Sequence, residues 1–196
     1  MKTEKKNSAR LFLAVFPDDT VKSILDKETA LLQKKYTLPG LKWTAPAQRH
    51  LTLKFLGDVT PGEKERLIQR LDALCPRLGR PRLSPKAYAF FPNRRRARVF
   101  YLGLEEDAAL SALAREIEVC AGESVPGASS APFRPHITLA RMGRRFSGYA
   151  ALTPLSRETA RPWRQDVDSF MLVESRLSAS GAKYTPVHTF FLPETK

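Results

Sequence analysis

The chain has 196 residues, 42% hydrophobic and 27% charged, which suits one domain with a real core. Lys and Arg number 33 against 20 Asp and Glu, and the net charge of +13 calls for a polyanionic partner such as nucleic acid or an anionic membrane surface. No apolar run reaches the roughly 18 residues of a membrane span, LFLAVF after a charged start is too short for a secretory signal, and the two cysteines, Cys75 and Cys120, are too few for a disulfide scaffold or a Cys-rich zinc site, so the expectation is a cytoplasmic protein.

Residues 1–9 read as a flexible basic tail and residues 10–196 as a single domain. RLFLAVF (Arg10–Phe16) is a buried strand by composition. Asp18, Asp19 and Thr20 offer N-caps for a helix carrying Val21, Ile24, Leu25, Leu31 and Leu32 and ending near Tyr36. A loop with Pro39, Gly40 and Pro46 leads to HLTLKFLG (His50–Gly57), which alternates like a strand. TPGE (Thr60–Glu63) has capping-box spacing and opens a helix buried through Leu67, Leu71, Leu74 and Leu78.

Strands follow around Arg82–Phe91 and Arg98–Leu104, with the turn Pro92–Arg96 between them. Asp107 caps a third helix with Leu110, Leu113 and Ile117 on its apolar face. The connector GESVPGASSAP (Gly122–Pro132) leads into the strand FRPHITLAR (Phe133–Arg141). Residues 142–165 are basic and irregular, with one short helix, and Asp166–Leu177 and Lys183–Leu192 form an antiparallel pair around SASG. The two half-chains thus repeat a theme. The expected fold is α+β and bilobal: two pseudo-symmetric antiparallel β-sheets facing a central cleft, with helices outside.

Two of the chain's three histidines, His50 and His136, stand in the same tetrad, His–apolar–Thr–Leu, and His136 lies 86 residues after His50. For one histidine that context arises by chance about once in a hundred. On a strand, residues i and i+2 share a face, so each tetrad sets an imidazole beside a hydroxyl: His50 with Thr52, and His136 with Thr138. An approximate twofold would bring both pairs to one cleft. Opposed imidazoles suit general acid–base catalysis near neutral pH. Threonine hydroxyls can donate to phosphoryl oxygens, and cations stabilise the charge of a transition state. Arg134, two residues before His136, should share its face, and Arg141 lies at the strand end.

Strict alternation sets Phe55 with Leu51 and Leu53, in the core. Arg94–Arg96 and Arg144–Arg145 read as solvated turns or as a polyanion footprint, and His188 as structural. Neither tetrad carries a carboxylate, so no metal is expected, and the absence of a GxxxxGK[ST] loop leaves bound ATP without support.

HLTLKFLG together with FRPHITLAR resembles the two-histidine (2H) phosphoesterase superfamily, and more closely its RNA 2′,3′-cyclic phosphodiesterase branch, formerly called 2′-5′ RNA ligases (LigT/ThpR-like). RLFLAVFPDD, AFFPNRRRARVFYLGL and ESRLSASGAKYTPVHTF extend the resemblance over most of the chain. The resemblance implies a cofactor-free, metal-independent hydrolase. It would open a terminal 2′,3′-cyclic phosphate of RNA to a 2′-phosphomonoester. His136 would be the base that activates water and His50 the acid that protonates O3′. Thr52, Thr138 and Arg141 would hold the phosphate, and Phe55 would stack near the terminal base. The expected partner is RNA with such an end, bound by a monomer away from membranes. The competing readings are 2′-5′ ligation in the same fold, hydrolysis of a small cyclic nucleotide or nucleotide-sugar phosphodiester, and a non-catalytic RNA-binding module.

Overall fold

In a computed structural model, residues 7–144, 146–178 and 181–194 are described. Residues 1–6 of the basic tail, Arg145, and Ala179 and Ser180 of the SASG turn lie outside them. The first strand, β1 (Ala9–Val15), already takes in Ala9.

Helix α1 (Asp19–Lys35) begins where Asp18 accepts a hydrogen bond from the Val21 amide, 2.7 Å away. Helix α2 (Pro61–Leu74) has the capping box: Glu63 accepts from the Thr60 amide and donates its own amide to the Thr60 hydroxyl. Between them run β2 (Leu41–Trp43) and β3 (Leu51–Val59). The second half contributes β4 (Arg82–Leu83), β5 (Pro85–Phe91), β6 (Val99–Leu104), α3 (Ala108–Ser124), capped by Asp107, and β7 (His136–Met142). The chain ends with α4 (Leu152–Leu155), β8 (Gln165–Asp166), β9 (Ser169–Ser178) and β10 (Gly181–Phe191).

The fold is α+β with one large antiparallel sheet in the order β10-β9-β1-β3-β7-β6-β5, with β2 added beside β7. Its two halves meet at a single register pair, Leu51 of β3 opposite Ile137 of β7. The pseudo-symmetric half-sheets are therefore continuous at one point. An antiparallel pair carries a local twofold axis. Here that axis relates Leu51 to Ile137, and with them the residues on either side, His50 to His136 and Thr52 to Thr138.

The helices lie behind the sheet and exchange halves. α3, which follows β6, backs the first half: Glu118 pairs with Lys54 of β3, and Glu123 pairs with Arg70 of α2. α1, which follows β1, backs the second half: Glu28 meets Tyr88 of β5 and accepts from the Arg161 amide. One buried core, including Leu13, Leu51, Phe100 and Leu172, joins all of this. This leaves the opposite face of the sheet open for a site.

Candidate active site

Each histidine is held in the same way. His50 Nδ1 lies 2.7 Å from the carbonyl oxygen of Gln48, and His136 Nδ1 lies 2.6 Å from that of Arg134. A carbonyl only accepts, so Nδ1 carries the proton in both rings. Nε2 is then the free nitrogen of each neutral ring, able to take a proton and later return it. Aromatic edges fix the ring planes. His50 meets Tyr184 at 85° with centroids 5.3 Å apart, and His136 meets Phe91 at 80° and 4.9 Å.

Both imidazoles line one cleft of about 1000 Å³, together with Thr52, Thr138, Arg141 and Phe55. The structure thus gathers six of the seven sequence-derived residues. Arg134 is the seventh. β7 begins only at His136, so Arg134 precedes the strand. Its carbonyl holds His136, while its guanidinium lies 5.9 Å from the Phe91 ring and does not line the cleft. Phe91 itself meets His136 edge-on, so Arg134 stands beside the histidine at the edge of the cleft rather than within it.

Arg141 and Phe55 reach the cleft through matched irregularities. Along the β1–β3 ladder, Leu13 faces Lys54 but Ala14 faces Thr52, so β3 has one extra residue at Leu53. Along β6–β7, Phe100 faces Ala140 but Tyr101 faces Thr138, so β7 has one at Leu139. A bulge reverses the phase of the alternation beyond it. Phe55 consequently leaves the face of Leu51 and Leu53 and is 56% exposed, which corrects the core placement read from strict alternation. Arg141 turns to the cleft by the same device. Beyond its bulge β7 pairs with β2, where Lys42 faces Arg141.

Burial pushes the His50 imidazole down to about 4, against the pull of its bond to Gln48, and positive charge on His136 and Arg141 pushes the same way. His136 is also lowered, first by burial and then by Arg141. Both rings of the free protein are therefore neutral at pH 7. Arg10, Lys42 and Arg141 are the charged lining residues, and no carboxylate lines the cleft among the described residues. The described residues also contain no group of three or more His, Cys, Asp or Glu side chains placed to hold a metal ion. Such a cleft suits an anionic ligand.

Sequence reasoning missed several participants. Gln48 supplies a carbonyl to His50, and its side-chain amide donates to the Ala182 carbonyl of β10. Arg49, 5% exposed, pairs with Asp26 of α1 and donates to Thr29 at 2.9 Å. The segment Gln48–Arg49 is thus tied to β10 on one side and to α1 on the other. Its counterpart before His136 is Arg134–Pro135, where the proline ring fixes the backbone. His188 stands apart from the cleft, with Nε2 3.0 Å from Asp72 of α2, as its structural reading requires. No helix among the described residues is long and apolar enough to cross a membrane.

Comparison with known proteins gives consistent matches. The family model described as LigT like Phosphoesterase matches residues 15–101, the half that holds His50 and Thr52. The RNA 2′,3′-cyclic phosphodiesterase of Thermus thermophilus is 33% identical over 191 residues, covering 93% of this chain and 90% of that protein. The RNA 2′,3′-cyclic phosphodiesterase of Aquifex aeolicus is 28% identical over 188 residues, covering 93% of this chain and 97% of that protein. Among solved structures, TT0787 of Thermus thermophilus superposes with a TM-score of 0.74 at 29% identity, covering 93% of this chain and 97% of that one. E. coli LigT complexed with 3′-AMP shares the fold, with a TM-score of 0.75 at 24% identity and coverage of 96% and 100%.

Proposed function

Because the chain belongs to the LigT-like phosphoesterases, the family of the RNA 2′,3′-cyclic phosphodiesterases, we propose that it is a hydrolase that opens the 2′,3′-cyclic phosphate at an RNA end to a 2′-phosphomonoester. The observation that carries the proposal is the pair of imidazoles, each with Nδ1 tied to the carbonyl two residues before it, lining one cleft that has no carboxylate among the described residues.

The cyclic diester binds as an anion between the two rings. Thr52 and Thr138 donate hydroxyl protons to its non-bridging oxygens, and Arg141 balances the charge that grows there. His136 Nε2 takes a proton from water as the water oxygen bonds to phosphorus. The P–O3′ bond breaks, and His50 Nε2 gives its proton to O3′. These two roles follow the family resemblance. In the free protein burial weighs heavily on the His50 ring, so the bound phosphate must draw the proton there. Phe55, exposed in the cleft, offers its face to the terminal base. The five-membered ring is strained, so attack needs mainly alignment and proton transfer.

The test is incubation with an RNA oligonucleotide ending in a 2′,3′-cyclic phosphate, with the end chemistry read by mass spectrometry. A 2′-phosphate end supports the proposal. A joined strand would instead identify the ligase reading, and an unchanged end in the presence of binding would identify a non-catalytic module.

A further inference from the structure

Phe91 and Val99 face each other across β5 and β6 and both line the cleft. The turn that joins these strands therefore projects from the mouth of the cleft on the side away from Phe55. It is an ordered turn: Arg94–Arg96 form a single 3-10 turn whose start is capped by Asn93, which accepts from the Arg96 amide at 3.1 Å. The Arg98 amide closes the hairpin on the Phe91 carbonyl at 2.7 Å.

All three arginines are exposed, and among the described residues none has a carboxylate within salt-bridge distance. Elsewhere Arg49, Arg70, Arg82 and Arg176 each have an acidic partner. Three adjacent guanidiniums repel one another, and a capped turn holds them together without relief from the protein itself. Arg134, over the Phe91 ring, and Lys42 with Arg141 inside the cleft continue the positive charge from the turn toward the histidines.

We propose that the Arg94–Arg96 turn is the docking surface for the RNA strand that leads to the cyclic end, its guanidiniums contacting backbone phosphates of the nucleotides before the terminal one. This rests on the proposed function for its substrate. With the terminal base against Phe55, and Gly127 and Ser129 walling that side of the cleft, the strand leaves over the opposite rim, where the turn stands. Contacts of this kind carry no sequence information. They position the strand and make its binding depend on salt.

The test compares the protein with the variant R94A/R95A/R96A on two probes: a 2′,3′-cyclic mononucleotide, and an RNA of about ten nucleotides carrying a cyclic end for turnover or a 2′-phosphate end for binding. Turnover of the mononucleotide should be unchanged. Affinity for the oligonucleotide should fall about tenfold at low salt, and the slope of log Kd against log salt should drop by about 2, for three phosphate contacts on a single strand. The variant R94K/R95K/R96K should keep most of the slope. Equal binding and equal slope in the alanine variant would overturn the proposal and point to an acidic protein as the partner of the turn. If the unmodified protein hydrolyses neither probe, the functional reading falls, and the binding slopes still decide whether RNA docks on the turn.

Discussion

Phe55 and Arg141 occupy the same position in the two halves of the protein, each five residues after its histidine and each delivered to the cleft by a bulge three residues after that histidine. One copy presents an aromatic face and the other a cation. The pseudo-twofold relates backbones and histidines, while these two side chains make the ends of the cleft unlike.

That difference predicts separable defects. Arg141→Ala removes charge stabilisation at the phosphate and should lower kcat by about 10²-fold or more. Phe55→Ala removes stacking and should raise KM for an oligonucleotide about tenfold, with a smaller change in kcat. Steady-state kinetics on one cyclic-ended RNA checks both.

The half-buried histidines predict a pH dependence of stability. An unfolded imidazole titrates near 6.5, whereas folded His50 is pushed down to about 4. Between those values the unfolded chain binds a proton that the folded chain refuses. Stability is therefore complete above pH 6.5 and falls as the pH drops toward 4, by about 3 kcal/mol from this group. His50→Asn should flatten that slope in urea unfolding curves recorded between pH 4 and 7. An unchanged slope would remove His50 as its source.

Much of this was legible in the sequence. The two tetrads stand out because strand alternation converts His–apolar–Thr–Leu directly into two side chains on one face. The caps at Asp18, Thr60 and Asp107 were readable because each satisfies helix N–H groups locally. The bulges at Leu53 and Leu139 were not, since counting by twos has no signal for an extra residue, and alternation alone sets Phe55 in the core for that reason. Gln48 and the carbonyl of Arg134 were invisible because every residue has a carbonyl, and only the fold aims one at an imidazole. The single Leu51–Ile137 junction is a long-range pairing that no local pattern announces.

Arg49 should act on catalysis through His50. Arg49→Met keeps the bulk but loses the pair with Asp26, which is 46% exposed and can return to water, so the stability cost stays modest. The expected result is a kcat lowered about tenfold at nearly constant KM, with Arg49→Lys intermediate. Loss of thermal stability with unchanged kcat would assign Arg49 to the scaffold alone.

Chelation should have no effect on turnover. The cleft is lined by cations, hydroxyls and imidazoles whose Nδ1 atoms are already engaged, and by no carboxylate among the described residues. Activity on a cyclic-ended RNA with and without EDTA is the check, and restoration of a chelated sample by added divalent metal would contradict the expectation.

The most direct measurement is turnover of a 2′,3′-cyclic-phosphate RNA by His50→Ala, His136→Ala and the double variant, each confirmed folded by circular dichroism. If the two rings serve one phosphorus atom, each single change should remove nearly all hydrolysis and the double change should cost little more than either. Full activity in either single variant would contradict the two-histidine account.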